Sequence, residues 1–406
     1  MVNSLFPWPR PYEIIQKSQR GETLTSDDLL AVKSVSFYSP IKLLGISRGK
    51  NESDKEIHVR TTYNLLRELD ESEDAPDTLS NNDKVWVINR LSYLIGEVVR
   101  RDPAHSGGIE DLINGEDLQS VTKKLVDNAI DDKARVFVEH FGKGIVLRDL
   151  YEIGKEPKGR EIRESIDYCV KSMADGMTRF LERGPIQTKE QLHDYCFHVA
   201  GRIGSGFLNR LIEYKDPVKG KIIRLNDNLA QKFGEYLQLT NISKNIRTDF
   251  KENRRFFPRE FIPKEVSYEY MMDGKGVDAE SARQKVLNDV LLLAENNFDS
   301  SVEYIKSIPQ SLSGYRAFCA VPLIMANRTI QNMRNAGAEK VYRGEDIAIK
   351  MQDNIMNIID FAHYIVKQEN GKSLDKFMEE YIKNPNKYIF TDNEYTSWRP
   401  NWVKTA

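Results

Sequence analysis

Apolar residues recur every three to four positions along most of this chain, the signature of amphipathic helices. The spacing predicts helices over 60–74, 84–101, 118–141, 160–182, 189–214, 225–252, 279–308 and 344–366. Breakers fall between them: Pro76, Pro103 with Gly107 and Gly108, Gly154 with Pro157, Gly184 with Pro185, Pro217 with Gly220, Pro258 with Pro263, Gly274 with Gly276, and Pro309. No alternating strand pattern stands beside a hairpin signal, and no repeat of about 20–50 residues is present. The pattern is that of an all-α protein folded as one large antiparallel bundle. Residues 1–55 read as an N-terminal extension packing on the bundle, 56–383 as the helical domain, and 384–406 as a tail crossing it.

Composition narrows the function classes. Lys plus Arg is 59 against 61 for Asp plus Glu, so there is no global basic footprint and no nucleic-acid partner is expected. The three cysteines, Cys169, Cys196 and Cys319, are far apart and odd in number, which suits reduced core thiols. No apolar run reaches the roughly 18–20 residues of a membrane span, and the start of the chain lacks a signal-peptide apolar stretch. The expectation is a soluble intracellular protein of cytoplasm or plastid, any transit peptide lying outside this sequence.

Two helices carry polar residues where a core stripe should be apolar. In Leu66-Arg-Glu-Leu-Asp-Glu-Ser-Glu-Asp74, the carboxylates of Asp70 and Asp74 leave one helix face, with Arg67 and Glu73 on its flanks. Oxygen ligands so arranged suit Mg²⁺, which takes one or two carboxylates and fills its octahedron with water and phosphate. The same spacing also describes a solvated acidic helix end before Pro76. In Gln238-Leu-Thr-Asn-Ile-Ser-Lys-Asn-Ile-Arg-Thr-Asp249, residues Asn241, Asn245 and Asp249 stay on one face and form a second candidate metal cluster. Lys244 at its edge and Arg254-Arg255 just beyond are candidate diphosphate-binding cations. A polar surface face is the alternative there.

A third helix lies between them. At ordinary helical spacing Tyr195, Val199, Arg202 and Gly206 share a face, and Gly201, Gly204 and Gly206 suggest close approach by a ligand or another helix. Arg202 on such a face needs a charged partner, unless it snorkels at the bundle rim. The six histidines show no metal-site spacing, and no phosphate loop or dinucleotide fingerprint is present.

These segments, in order, resemble the squalene/phytoene synthase family. Leu66–Asp74 looks like L-R-A-L-D-T-x-E-D, and Ser172–Leu181 resembles the helix with M-x-x-G-M. Tyr195-Cys-Phe-His-Val-Ala-Gly201 is similar to Y-C-x-x-V-A-G, and Gln238-Leu-Thr-Asn-Ile242 to Q-x-T-N-I. Arg254-Arg-Phe-Phe-Pro258 looks like R-E-F-W-P, and Phe318–Ala326 resembles F-C-A-I-P-Q-V-M-A. The resemblance implies the class I isoprenoid (terpene) synthase helical bundle, a Mg²⁺-dependent site and a prenyl diphosphate substrate.

Departures from that pattern shape the expected chemistry. The family's further acid after D-x-x-x-D is Ala75 here, the register Glu73-Asp74-Ala-Pro-Asp77 only imitates D-D-x-x-D, and the second motif has Lys244-Asn245 and Thr248-Asp249 where R-D and E-D are usual. Fewer acidic ligands and an added Arg202 point to one diphosphate and a small anionic acceptor paired with the guanidinium. Algal N-prenyltransferases of kainoid biosynthesis, which prenylate the amine of L-glutamate, look similar. On this reading a group such as geranyl or dimethylallyl moves to the amine. Asp70, Asp74, Asn241, Asn245 and Asp249 hold Mg²⁺, Lys244, Arg254 and Arg255 neutralise the diphosphate, and Arg67 and Arg202 orient the acceptor. Tyr195 positions the acceptor or relays its proton, and Tyr63, Val199 and Gly206 line the pocket. The alternatives are squalene- or phytoene-type head-to-head coupling, terpene cyclisation, or a non-catalytic role in assembly.

Overall fold

The computed structural model describes residues 10–46, 53–76, 78–103, 108–212, 214–215 and 222–345, with isolated positions between 358 and 379. Helices make up nearly all of it. The one extended element among the described residues is a two-residue antiparallel pair, Tyr214–Lys215 with Ile222–Ile223. Four expected helices are present as Ser53–Glu73, Asn81–Arg100, Gly159–Arg183 and Asp227–Lys251. Ser80 caps the second through the Asp83 amide, and Asn226 caps the last through the amides of Asn228 and Leu229. Such caps satisfy donors that a helix start leaves orphaned.

Two expected long helices are broken in two. The 118–141 stretch is Glu116–Asp127 and Asp132–Gly142, the second restarted by Asp131 accepting from the Ala134 amide. The 279–308 stretch is Val277–Glu295 and Phe298–Ser307, parted at Asn296-Asn297. At the first break Asn128 donates to the Lys124 carbonyl and Asp131 accepts from the Ala134 amide, side-chain bonds that compete with the helix for backbone groups. The expected 344–366 helix lies almost wholly outside the described residues, as do the 384–406 tail and Asp77.

One major helix, Ser313–Ala336, is not among those expected. Over its first half Tyr315, Ala317, Phe318, Cys319, Ala320, Val321, Leu323 and Ile324 are all buried, so that half shows no polar stripe, Pro322 lies inside it, and exposed polar residues such as Arg334 and Asn335 come only near its end. The Val35–Ile46 helix packs along it. Leu29, Leu30, Ile41, Leu43 and Leu44, from the segment read as an extension, join the same core.

The Asp227–Lys251 helix is the axis of this arrangement. Ala230, Phe233, Tyr236, Leu239, Ile242 and Ile246 are buried against Val277–Glu295, Phe298–Ser307, Ser313–Ala336 and the segment after Cys196. That segment widens from α-helix into π turns at Phe197–Gly201 and Ile203–Leu208. Its backbone touches the central helix: a Cβ on Gly204 would collide with the Ala230 carbonyl, and one on Gly234 with the Ala200 carbonyl. Gly204→Ala is therefore expected to destabilise by about 1–3 kcal/mol through overpacking against backbone. A urea midpoint equal to that of the parent would mean the contact is looser than described.

No helix among the described residues is long and apolar enough to cross a membrane. The three cysteines are buried and free of disulfides, as expected of core thiols.

Candidate active site

The Ser53–Glu73 helix ends in acid. The Asp74 amide donates to the Asp70 carbonyl at 2.8 Å, holding Asp74 in the last turn before Ala75-Pro76 stops the helix. Arg67 lies among the carboxylates, at 2.6 Å from Asp70 Oδ2, 2.6 Å from Glu71 Oε1 and 3.8 Å from Asp74 Oδ2. Lys33 reaches in from the Ser26–Lys33 helix to pair with Glu71 at 2.9 Å.

The central helix supplies the opposite wall. Asn241 is exposed, Asn245 half-buried and Asp249 buried, and Asn245 Nδ2 donates to Asn241 Oδ1 at 3.3 Å. Beyond Lys251 the chain turns back through Asn253, whose φ of 58° is tolerated by asparagine better than by most residues. The turn brings the Arg254 amide onto the Asp249 carbonyl at 2.7 Å. It also aims the Arg254 guanidinium at both helix ends, 2.6 Å from Asp74 Oδ1, 2.7 Å from Asp249 Oδ1 and 2.6 Å from Glu252 Oε2. One arginine thus ties two motifs that are 180 residues apart between Asp74 and itself.

Glu73 faces a different neighbour. The Tyr195 hydroxyl donates to Glu73 Oε2 at 2.8 Å, while Glu73 Oε1 is buried without a partner. Tyr195 stacks in a trio with Phe180 and Phe256, ring centroids 4.5 to 5.3 Å apart. Lys84 Nζ donates to the Glu73 carbonyl at 3.2 Å.

Charge in this cluster is incompletely balanced. Burial pushes the Asp70 carboxyl up to about 6, Arg67 opposing and Asp74 adding to the rise. Burial likewise pushes Asp249 to about 6 against the pull of Arg254. Glu73 is pushed to about 8 by burial and by Asp74. Burial opposes the charge on Arg67 and Arg254, yet the surrounding carboxylates outweigh it and hold both guanidiniums above their ordinary range. Asp70 and Asp74 keep 32% and 28% of their side-chain surface open, so water reaches both acids. Lys244 is accessible but flanked by protein, and the loss of water around it holds its ammonium below the usual value.

The donor set fits a hard divalent cation. Asp70, Asp74, Asn241, Asn245 and Asp249 offer only oxygen for coordination, the Glu73 Oε1 atom lacks a partner, and burial leaves Asp70 and Asp249 in want of further neutralisation. No cluster of three or more His, Cys, Asp or Glu among the described residues converges as metal ligands, because Arg67 and Arg254 occupy the space between the acids. A surface hollow of about 380 Å³ lined by Gln119, Glu139, Lys143 and Arg148 shares no residue with this cluster.

Several expected site residues stand elsewhere. Tyr195, Val199, Arg202 and Gly206 share a face only at α-helical spacing, and the π turns rotate the later ones away. Arg202 stacks on Phe197 at 4.3 Å and on Tyr168 at 5.4 Å, and Tyr168 is itself 46% exposed. It is the rim arginine of the alternative reading. A Cβ on Gly206 would meet Tyr168 and Cys169, so this glycine seats the π segment on Gly159–Arg183 and lines no pocket. Arg255 is sandwiched between Phe250 at 4.2 Å and Tyr268 at 5.3 Å and donates to the Phe250 carbonyl. Arg67 is bound into the acid cluster. Tyr63 packs on Phe37 at 5.1 Å one turn before Arg67, and Val199 is buried in the first π turn. Sequence reasoning missed Lys33, Lys84, Phe180 and Phe256, which long-range packing alone brings in, and treated Glu73 as a flank.

The description Squalene/phytoene synthase belongs to a family model that matches residues 142–352, just over half of the chain. The chain belongs to the squalene/phytoene synthase family. Within it, the chain is 29% identical over 209 residues to squalene synthase clz20 of Cochliobolus lunatus, covering 50% of this chain and 48% of the relative. It is 30% identical over 207 residues to squalene synthase of Rattus norvegicus, covering 49% and 47%. The chain thus spans about half the length of the curated relatives it matches. A TcSQS–ligand complex superposes with a TM-score of 0.56 at 20% identity, covering 89% of this chain and 99% of that one. A dehydrosqualene synthase with ligand gives 0.51 at 16% identity, covering 88% and 100%. These likenesses bear out the expected all-α isoprenoid synthase bundle. The Asp70 helix precedes the family match, and Arg254 ties it to the matched part.

Proposed function

We propose that this squalene/phytoene synthase-family chain is a diphosphate-releasing prenyltransferase that couples one prenyl diphosphate to a second. The observation that carries the reading is Arg254, which pairs with Asp74 and Asp249 and so joins the ends of the two polar helices. Asp70, Asp74, Asn241, Asn245 and Asp249 are the residues to hold Mg²⁺, which when bound would neutralise the leaving diphosphate. Arg254 and Lys244 supply protein cations for the diphosphate oxygens as the allylic C–O bond breaks and the electron pair leaves with oxygen. The Phe180, Tyr195 and Phe256 rings wall the cleft and keep water from an allylic cation. Glu73 in its ionised form, populated as pH approaches 8 and oriented by the Tyr195 hydroxyl, is the candidate to accept the proton lost when the new C–C bond forms.

Transfer to the amine of glutamate rested on the fewer acidic ligands and, for the acceptor, on Arg202 facing the substrate. The stacking of Arg202 on Phe197 and Tyr168 removes the support for the acceptor. Arg202→Met is accordingly expected to leave turnover within about twofold, since surface changes away from a site have small effects. A loss of tenfold or more that tracks an added amino acid would restore the amine reading.

The deciding experiment measures diphosphate release with Mg²⁺ and C5 to C20 prenyl diphosphates, with and without an amino-acid pool. Release without any amino acid, with a hydrocarbon product carrying two prenyl units, is expected. Release that needs an acidic amino acid would overturn head-to-head coupling, and no release at all would overturn the enzymatic reading.

A further inference from the structure

The Lys189–Cys196 helix brings Tyr195 to Glu73, and two residues earlier it brings His193 to a second buried acid, Glu235 of the central helix. Glu235 is fully buried. Its Oε1 accepts from Gln231 Nε2 at 2.8 Å, and its Oε2, which makes no hydrogen bond, lies 3.1 Å from His193 Nδ1 as an ion-pair contact. Packing between two helices does not call for a carboxylate there; an unpaired buried charge is expensive, so its cation matters. The imidazole is 64% exposed, so protons reach the pair although the carboxylate is sealed. A Cβ on Gly201 would lie 3.4 Å from Glu235 Cγ, which sets the acid directly beneath the first π turn. The other titratable groups facing the pair are Glu190 on the same helix as His193, and Cys196 beside the carboxylate.

We propose that the His193–Glu235 ion pair is a positioning clamp, seating the first π turn on the central helix and so holding the Tyr195 hydroxyl on Glu73 in a protonation-dependent way. Its effect on turnover rests on the prenyl-transfer reading; its effect on the fold does not. His193 sits above its ordinary value, raised by the Glu235 carboxylate beside it against the opposing pull of burial. Stabilisation by such a histidine is complete below its unfolded value and is lost as pH rises through the raised one. The clamp is closed near pH 6 and open near pH 9.

Histidine NMR titration and hydrogen exchange over residues 197–208, corrected for intrinsic rates, test this on the full chain with Glu235→Gln and His193→Ala. In Glu235→Gln the His193 pKa should fall back toward the ordinary imidazole value. Parental protection over 197–208 should fall several-fold from pH 6 to 9, as the histidine loses its charge. Glu235→Gln should show no such dependence, and His193→Ala should be weakly protected at both. An unmoved His193 pKa, or parental protection that ignores pH, overturns the clamp. Where turnover is present, KM for the prenyl diphosphate should rise with pH in the parent and stay flat in Glu235→Gln; matching profiles overturn the link to Tyr195. The exchange signature without diphosphate release would sink the prenyl-transfer reading and leave the clamp standing.

Discussion

Replacing Arg254 with alanine is expected to cut diphosphate release by about 10²–10³-fold, while Mg²⁺ stabilises the variant more than it stabilises the parent. Both effects follow from the position of one guanidinium between Asp74, Asp249 and Glu252. In the metal-free chain Arg254 neutralises acids that a divalent cation would otherwise neutralise. Its removal leaves Asp249, 8% open, and Asp74, 28% open, without their cation. Breaking a fully buried pair costs about 3–5 kcal/mol, and the open cleft reduces this to about 1–3. Added Mg²⁺ then meets no competing guanidinium and should recover that loss. Catalysis is a separate matter, because the variant lacks a positive charge for the leaving diphosphate whatever the carboxylates hold. Thermal melts across a Mg²⁺ titration and single-turnover release read the two effects independently. Parental release rates in the variant would reduce Arg254 to a structural tie between two helix ends.

The site was legible in the sequence to the extent that its chemistry is carried on single helices. Asp70 with Asp74, and Asn241 with Asn245 and Asp249, lie at helical spacing, and both helices formed over the expected stretches. Arg202 shows where the method broke down. Its assignment assumed α-helical rotation from Tyr195 onward, whereas the π turns change that rotation, and only the glycines of 201–206 hinted at irregularity. Arg255 failed for another reason: adjacent to Arg254, it leaves the backbone in the opposite sense and meets Phe250 and Tyr268. Lys33, Lys84 and Glu235 carry no local signal, since their meaning lies in partners on other elements. The Ser313–Ala336 helix was hidden by the burial of its first half, because a stretch buried on every side has no stripe to detect.

Between pH 9 and 6 the metal-free protein is expected to gain stability as acid is added, the reverse of ordinary acid denaturation. Glu73 titrates near 8 in the fold, and Asp70 and Asp249 near 6, all above the roughly 4 of carboxyls in an unfolded chain. Over this range the folded chain therefore holds protons that the unfolded chain has released. Stability must fall as pH rises through the folded values and recover as it drops. Glu73 dominates, being 2% exposed with Oε1 unpartnered, and contributes on the order of 2–4 kcal/mol. Asp70 adds less because water reaches a third of its surface and screens it. Glu73→Gln keeps an acceptor for the Tyr195 hydroxyl and removes the titration, so its urea midpoint should vary far less between pH 9 and 7. The His193–Glu235 pair acts in the same direction and survives in that variant, which separates the two contributions. Saturating Mg²⁺ should flatten the parental profile too, by favouring the ionised acids that protons otherwise neutralise. Midpoints measured in a chelator that stay level in the parent, or slope equally in Glu73→Gln, would show that the acid cluster is already neutralised by Arg67, Arg254 and Lys33 alone, and the case for a divalent cation there would lose its electrostatic basis.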